Sequence, residues 1–250
     1  MKNVKNPELH VCENKTSLGA EAAKLLVRIA EKSIADKGRF NIALSGGSTP
    51  EILYRNLVVN FADRIDWAKV SFFWSDERFV PLSHPESNAG MAKQFLLDPL
   101  EIKRKNIFYV PTENRSPEKA ALEYENTIRH HFGPQGHSPP SFDLVLLGLG
   151  DDGHTASLFP GTLALQENNR LVVHNWVEKL SVWRITFTYP LINSAHNILF
   201  LVAGENKAQV VKEIIIGNKP YPAKKVQPVH GRLYWYLDTG AAEMLNEKDE

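Results

Sequence analysis

Apolar residues recur at three- and four-residue steps through Leu18, Ala22, Leu25, Leu26 and Ile29, the spacing of one helix face, and Gly38 follows as a stop. The pattern predicts an amphipathic helix over 18–34. Residues 40–44 are a short apolar run that ends in Ser45-Gly46-Gly47-Ser48-Thr49, and Pro50 suits the first turn of a helix carrying Ile52, Leu53 and Leu57. Residues 70–74 read as a second buried strand running directly into Ser75-Asp76-Glu77-Arg78. Asn88 is positioned to cap a helix ending at Leu97, and Ser116-Pro117 opens another that reaches His131 before Gly133 closes it.

Beyond a loop rich in Gly and Pro, further strands are expected over 144–149, 172–176, 185–188 and 198–202, with a helix over 206–216. Strands alternating with helices imply an α/β fold: a mostly parallel, doubly wound sheet, Rossmann-like, with helices on both faces and ligands at the strands' carboxyl ends. Repeats and linker-like tracts are absent from the sequence, so one domain over 1–250 is expected, with 1–16 as a peripheral N-terminal segment.

Composition narrows the function classes. The 250 residues carry 29 Lys plus Arg against 29 Asp plus Glu, so no general basic field attracts nucleic acid or an anionic membrane. Any anion must be caught locally. Cys12 is the only cysteine, which rules out an intrachain disulfide or a thiolate metal cluster and fits a reducing, cytoplasmic setting. Neither a signal peptide nor a membrane-length apolar run is apparent, and nothing points to an obligatory protein partner. His130, His131 and His137 are read as surface histidines rather than metal ligands, and no metal site is expected.

Gly148-Leu149-Gly150-Asp151-Asp152-Gly153 follows a strand and matches a dinucleotide fingerprint. Two carboxylates would repel a pyrophosphate there, and Pro160 interrupts any helix, so a nucleotide site is rejected. Ser45, Gly46, Gly47, Ser48 and Thr49 suit a phosphate cradle at a helix start, although a plain Gly-rich turn has the same composition. Lys207, just beyond the strand at 198–202, supplies a compensating charge or is a solvated lysine. Asp76 and Arg78 leave their strand together, either to hold a substrate anion or to form an ion pair with Glu77. His154 stands next to Asp152 in a glycine-bounded loop, either as a general base whose tautomer the carboxylate can fix or as an ordinary loop histidine.

These segments resemble the 6-phosphogluconolactonases over about 18–238. The matching motifs are Leu44 to Pro50, Trp74 to Pro81 with Ser87-Asn88, Gly148 to Gly161, Arg184-Ile185-Thr186 and Gly204-Glu205-Asn206-Lys207, in the expected order. The resemblance implies hydrolysis of 6-phospho-D-glucono-1,5-lactone to 6-phospho-D-gluconate in the oxidative pentose phosphate pathway, without metal, nucleotide or other cofactor. It implies His154, Asp152, Asp76 and Arg78 as catalytic candidates. The substrate and its phosphate would fall to Ser45, Gly46, Gly47, Ser48, Thr49, Asn88, Arg184 and Lys207. Trp183 stands where relatives often carry proline, and Asp151 where many carry glutamate. Related glucosamine-6-phosphate deaminases place a glutamate where this chain has Phe159, which argues against isomerase or deaminase chemistry. A non-catalytic sugar-phosphate sensor would need an attached binding segment, and the stretch before Leu18 is too short for a helix-turn-helix.

Overall fold

The computed structural model describes residues 6–113, 115–134, 136 and 138–245. In chain order the elements are β1 (Glu8–Cys12), α1 (Lys15–Lys37), β2 (Phe40–Leu44), α2 (Ser48–Phe61), β3 (Val70–Trp74), β4 (Asp76–Arg78), α3 (Asn88–Ala92), α4 (Pro117–Phe132) and β5 (Leu144–Leu147). There follow β6 (Val172–Val177), β7 (Val182–Phe187), α5 (Tyr189–Asn193), β8 (Asn197–Val202), α6 (Ala208–Ile215), β9 (Arg232–Asp238) and α7 (Thr239–Ala242). Local chemistry sets the helix ends. Asn14 and Ser17 form a reciprocal capping box at the start of α1, Gly38 closes it in the left-handed conformation, and Ser116 caps α4.

Six strands form a parallel sheet in the order β1-β9-β8-β5-β2-β3. Its central strands, Phe40–Leu44, Leu144–Leu147 and Asn197–Val202, are almost wholly buried, as a sheet covered on both faces requires. The connection from β2 through α2 to β3 steps one way across the sheet, whereas β5 to β8 to β9 steps the other. Right-handed crossovers running in opposite directions send their helices to opposite faces, so the chains leaving β2 and β5 diverge and open a crevice between them. No helix among the described residues is long and apolar enough to cross a membrane.

Several expectations are corrected. The strands near 172–176 and 185–188 do not join the parallel sheet. Together with β4 they form a separate antiparallel sheet in the order β4-β7-β6. The four residues joining β6 to β7 are too few for the crossover that parallel pairing needs. Residues 8–12, read as part of a peripheral segment, are the edge strand paired with β9. Ser87, not Asn88, caps α3, accepting the Gly90 amide at 2.9 Å, and the helix runs on into a π turn over Lys93–Leu97. His131 is half-buried rather than fully solvated: it lies 2.8 Å from Asn41 Oδ1 and edge-on to Phe73 and Phe108, and burial holds its pKa below the usual imidazole range. His130 is exposed as expected, and His137 lies outside the described residues.

Candidate active site

Four neighbouring strands of the parallel sheet, β3, β2, β5 and β8, deliver their carboxyl ends to one edge. Buried polar groups pin that edge. Tyr54 from α2 donates its hydroxyl to Ser45 O at 2.7 Å, and Tyr124 from α4 accepts the Trp74 amide at 2.7 Å. Burial pushes both phenols well above their ordinary range, so they act as neutral hydrogen-bonding posts. Ser75 Oγ lies 3.1 and 3.2 Å from the carbonyls of Leu44 and Leu146, tying β2 to β5 beside the crevice.

A cleft of about 270 Å³ opens there, lined by Ser45, Gly46, Asp76, Arg78, Asn88, Gly148, Leu149, Gly150, His154, Ala156 and Lys207. Seven of the residues singled out from the sequence therefore meet in one place. Gly47, Ser48, Thr49, Asp152 and Arg184 surround the cleft without lining it. Gly46 is required for closure, because a Cβ on it would fall 1.8 Å from Asn88 Oδ1. The start of α2 receives a cation that the sequence did not reveal: Lys15 donates to Ser48 Oγ at 2.6 Å.

His154 is held on three sides. Its Nδ1 is 2.5 Å from Asp152 Oδ1, and its ring stacks on Phe159 with centroids 3.8 Å apart. Gly150 leaves space for the ring, since a Cβ there would sit 2.0 Å from Nδ1. Burial raises the Asp152 carboxyl, but hydrogen bonds from Lys179 and His154 outweigh it and bring the pKa down to about 2. Asp152 is thus an acceptor only, so the proton between the two belongs on Nδ1, leaving the Nε2 lone pair free. For His154 itself burial is the largest influence and lowers the pKa, opposed by Asp152 and Asp76, and the net position is below the ordinary imidazole value.

The antiparallel sheet grips the same loop. Ser157 donates to Asp76 Oδ2 at 2.6 Å, its amide donates to Thr186 Oγ1 at 3.1 Å, and its carbonyl accepts Asn175 Nδ2 at 2.9 Å. One polar side chain from each of β4, β7 and β6 therefore converges on a single residue. The alternative of an Asp76-Glu77-Arg78 ion pair does not occur. Glu77 instead accepts the amides of Arg78, Asn88 and Ala89, each at 2.8 Å, and fixes the start of α3. Burial, only partly offset by those amides, pushes its pKa up to about 7.

The cationic side of the site is uneven. Lys207 forms an ion pair with Asp151, so its charge is already balanced. Arg78 donates to Glu86 O at 2.8 Å and is the register partner of Arg184 across β4 and β7. Arg184 is buried, and its Nε and Nη1 have no hydrogen-bond partner. Burial, then the Arg78 charge, depresses its pKa. Two guanidinium groups directly opposite one another repel, and a buried one without an acceptor costs stability, so an anion placed against the pair would relieve both costs.

The family described as glucosamine-6-phosphate isomerases/6-phosphogluconolactonase matches residues 13–235. A 6-phosphogluconolactonase of Synechocystis sp. is 43% identical over 242 residues, covering 96% of this chain and 98% of that protein. The structure of 6-phosphogluconolactonase from Trypanosoma brucei matches with a TM-score of 0.87 at 30% identity, over 96% of this chain and 99% of that one. A monomeric glucosamine-6-phosphate deaminase shares the fold, with a TM-score of 0.77 at 21% identity over 95% of this chain and 99% of that one. With the family's pattern running through most of the chain and a relative aligned over nearly its whole length, this protein belongs to the glucosamine-6-phosphate isomerase/6-phosphogluconolactonase family.

Proposed function

We infer that the protein hydrolyses 6-phospho-D-glucono-1,5-lactone to 6-phospho-D-gluconate, the lactonase step of the oxidative pentose phosphate pathway. The observation that carries this reading is His154, with Nδ1 committed to Asp152 and Nε2 free in a cleft that also holds Arg78 and Lys207. Neutral His154 takes a proton from the water that attacks the lactone carbonyl. The tetrahedral intermediate then collapses, and the imidazolium returns that proton to the ring oxygen as its bond to carbon breaks. One residue serves as base and then as acid. Its lowered pKa keeps it neutral at physiological pH.

The remaining residues bind and orient. The amides at the start of α2, in Gly47, Ser48 and Thr49, with Ser45, Gly46, Asn88 and Lys207, receive the substrate and its phosphate. Arg78 and Arg184 meet a negative charge on the substrate, which supplies the acceptor that Arg184 lacks. Asp152 sets the imidazole tautomer, and Asp76 holds the loop through Ser157 while facing the cleft. Phe159 presents only a ring face to His154, so position 159 offers no carboxylate for the proton shuttling of an aldose-ketose isomerisation. The free, buried Cys12 suits a reducing compartment, and we assign the protein to the cytoplasm.

The deciding measurement generates the lactone in situ and follows its loss against the spontaneous rate, with ammonia release from glucosamine 6-phosphate assayed in parallel. Acceleration of lactone loss with no ammonia is expected. Ammonia release, or lactone loss at the spontaneous rate, would sink the reading.

A further inference from the structure

Lys179 lies outside the cleft and outside every motif that carries the family resemblance. It sits in the four-residue turn between β6 and β7, whose register is held on both sides by Val177 opposite Val182 and Trp176 opposite Trp183. The turn is stiffened at its base. Trp176 and Trp183 have ring centroids 5.3 Å apart, and Trp176 Nε1 donates to Glu178 Oε2 at 2.5 Å. From this support the Lys179 ammonium donates to Asp152 Oδ2 and lies 5.4 Å from the centroid of the Phe159 ring.

These contacts have a geometric consequence. Asp152 uses Oδ1 for His154 Nδ1 and Oδ2 for Lys179, so both oxygens are engaged and the carboxylate plane cannot turn freely. Phe159 is similarly placed between two partners, with the imidazole stacked on it and the ammonium near its ring. We propose that Lys179 is a positioning residue for proton transfer at His154, a latch by which the β6–β7 hairpin fixes Asp152 and Phe159 and thereby the imidazole. This rests on the reading of His154 as the base.

The latch is electrostatic as well as steric. His154 is faced by Asp152 from its own loop, Asp76 from β4 and Lys179 from the hairpin, while Arg78 and Lys207 line the same cleft. The two carboxylates raise the basicity of His154, and Lys179 lowers it. With Lys179 present, Asp152 orients the ring without turning it into a permanently charged imidazolium. Removing the ammonium leaves Asp152 unopposed on that side, so His154 binds its proton more tightly and less of the neutral base is present at a given pH.

The test compares Lys179→Met, which keeps the aliphatic stem, with Lys179→Arg, which keeps the charge, in the full chain. His154 is titrated by NMR without substrate, and kcat/KM is profiled against pH in the lactone assay. For Lys179→Met we expect the His154 titration and the acid limb of kcat/KM to move together to higher pH. Plateau turnover should fall on the order of tenfold, as when a residue that supports a carboxylate–histidine pair is removed. KM and the unfolding temperature should stay near wild type, because Lys179 is exposed, and Lys179→Arg should restore both readouts. A Lys179→Met titration that superimposes on wild type overturns the proposal, as does a plateau loss that Lys179→Arg fails to recover. If instead His154→Asn retains turnover, it is the assignment of the base that fails; the substrate-free titration still reports on the Lys179 link by itself.

Discussion

The two sheets of this molecule are built from different material. The interior strands of the parallel sheet bury Ile42, Ala43, Leu44, Val145, Leu146, Leu199 and Phe200, whose stability comes from area removed from water. The antiparallel sheet buries Asp76, Glu77, Asn175, Arg184 and Thr186, polar groups that are costly to desolvate and tolerable only when paired. The first sheet brings four loops to one edge. The second aims side chains at those loops, so damage to it should cost chemistry before it costs folding.

The sharpest break of that contrast is His154→Asn, which leaves both sheets intact and removes the proposed base. Turnover in the lactone assay should drop by about 10²- to 10⁴-fold while product affinity, measured by calorimetry, changes little. Near-normal turnover would remove His154 from the mechanism. Next comes Gly150→Ala, which adds one methyl at the end of the parallel sheet. A Cβ at 2.0 Å from His154 Nδ1 must displace the ring, and a misplacement of about 1 Å costs roughly 10²-fold in turnover. If the variant keeps full activity, the ring is not where the mechanism needs it.

A matched pair tests the two sheets directly. Ile198→Ala in β8 should lower stability by about 2–5 kcal/mol in chemical denaturation, with activity per folded molecule preserved. Asn175→Ala in β6 frees the Ser157 carbonyl and should lower turnover more than it lowers stability. Equal losses of activity in both variants would erase the distinction between scaffold and grip. The smallest effect expected is in pH. In the proposed mechanism the neutral imidazole is the active form, and its pKa is lowered from 6.5, so kcat/KM should hold across neutrality and fall only at pH values below that figure. An acid limb centred above it would mean that the two carboxylates outweigh burial.

The parallel scaffold was largely legible because its signals are local. Helical period with caps marked α1, α2 and α4, and continuous apolar runs marked β2, β3, β5 and β8. The edge strand β1 escaped because its exposed Leu9 and Val11 alternate with polar residues and form no run. In β9 the consecutive Tyr234, Trp235 and Tyr236 each join an apolar body to a polar tip and suit surface or core equally. The antiparallel layout had one readable sign, a gap between two strands too short for a crossover. At the site, His154, Asp152, Asp76 and Arg78 stood out as polar residues at strand exits. Lys179 did not, because its partner Asp152 is 27 residues away and only tertiary structure joins them. Lys15 and the bare guanidinium of Arg184 were invisible for the same reason.

The order of strands also governs how the chain is completed during synthesis. β1 is made first, yet its sheet neighbour is β9, which lies between it and β8. Until residues 232–238 leave the ribosome, the opening strand has no ladder to join and β8 keeps an open edge. The parallel sheet therefore closes on the last of its strands to be made, and a nascent chain stalled short of β9 exposes two strand edges to other chains. Truncations at the C-terminal side should consequently be met in the cell as aggregation rather than as a slower enzyme.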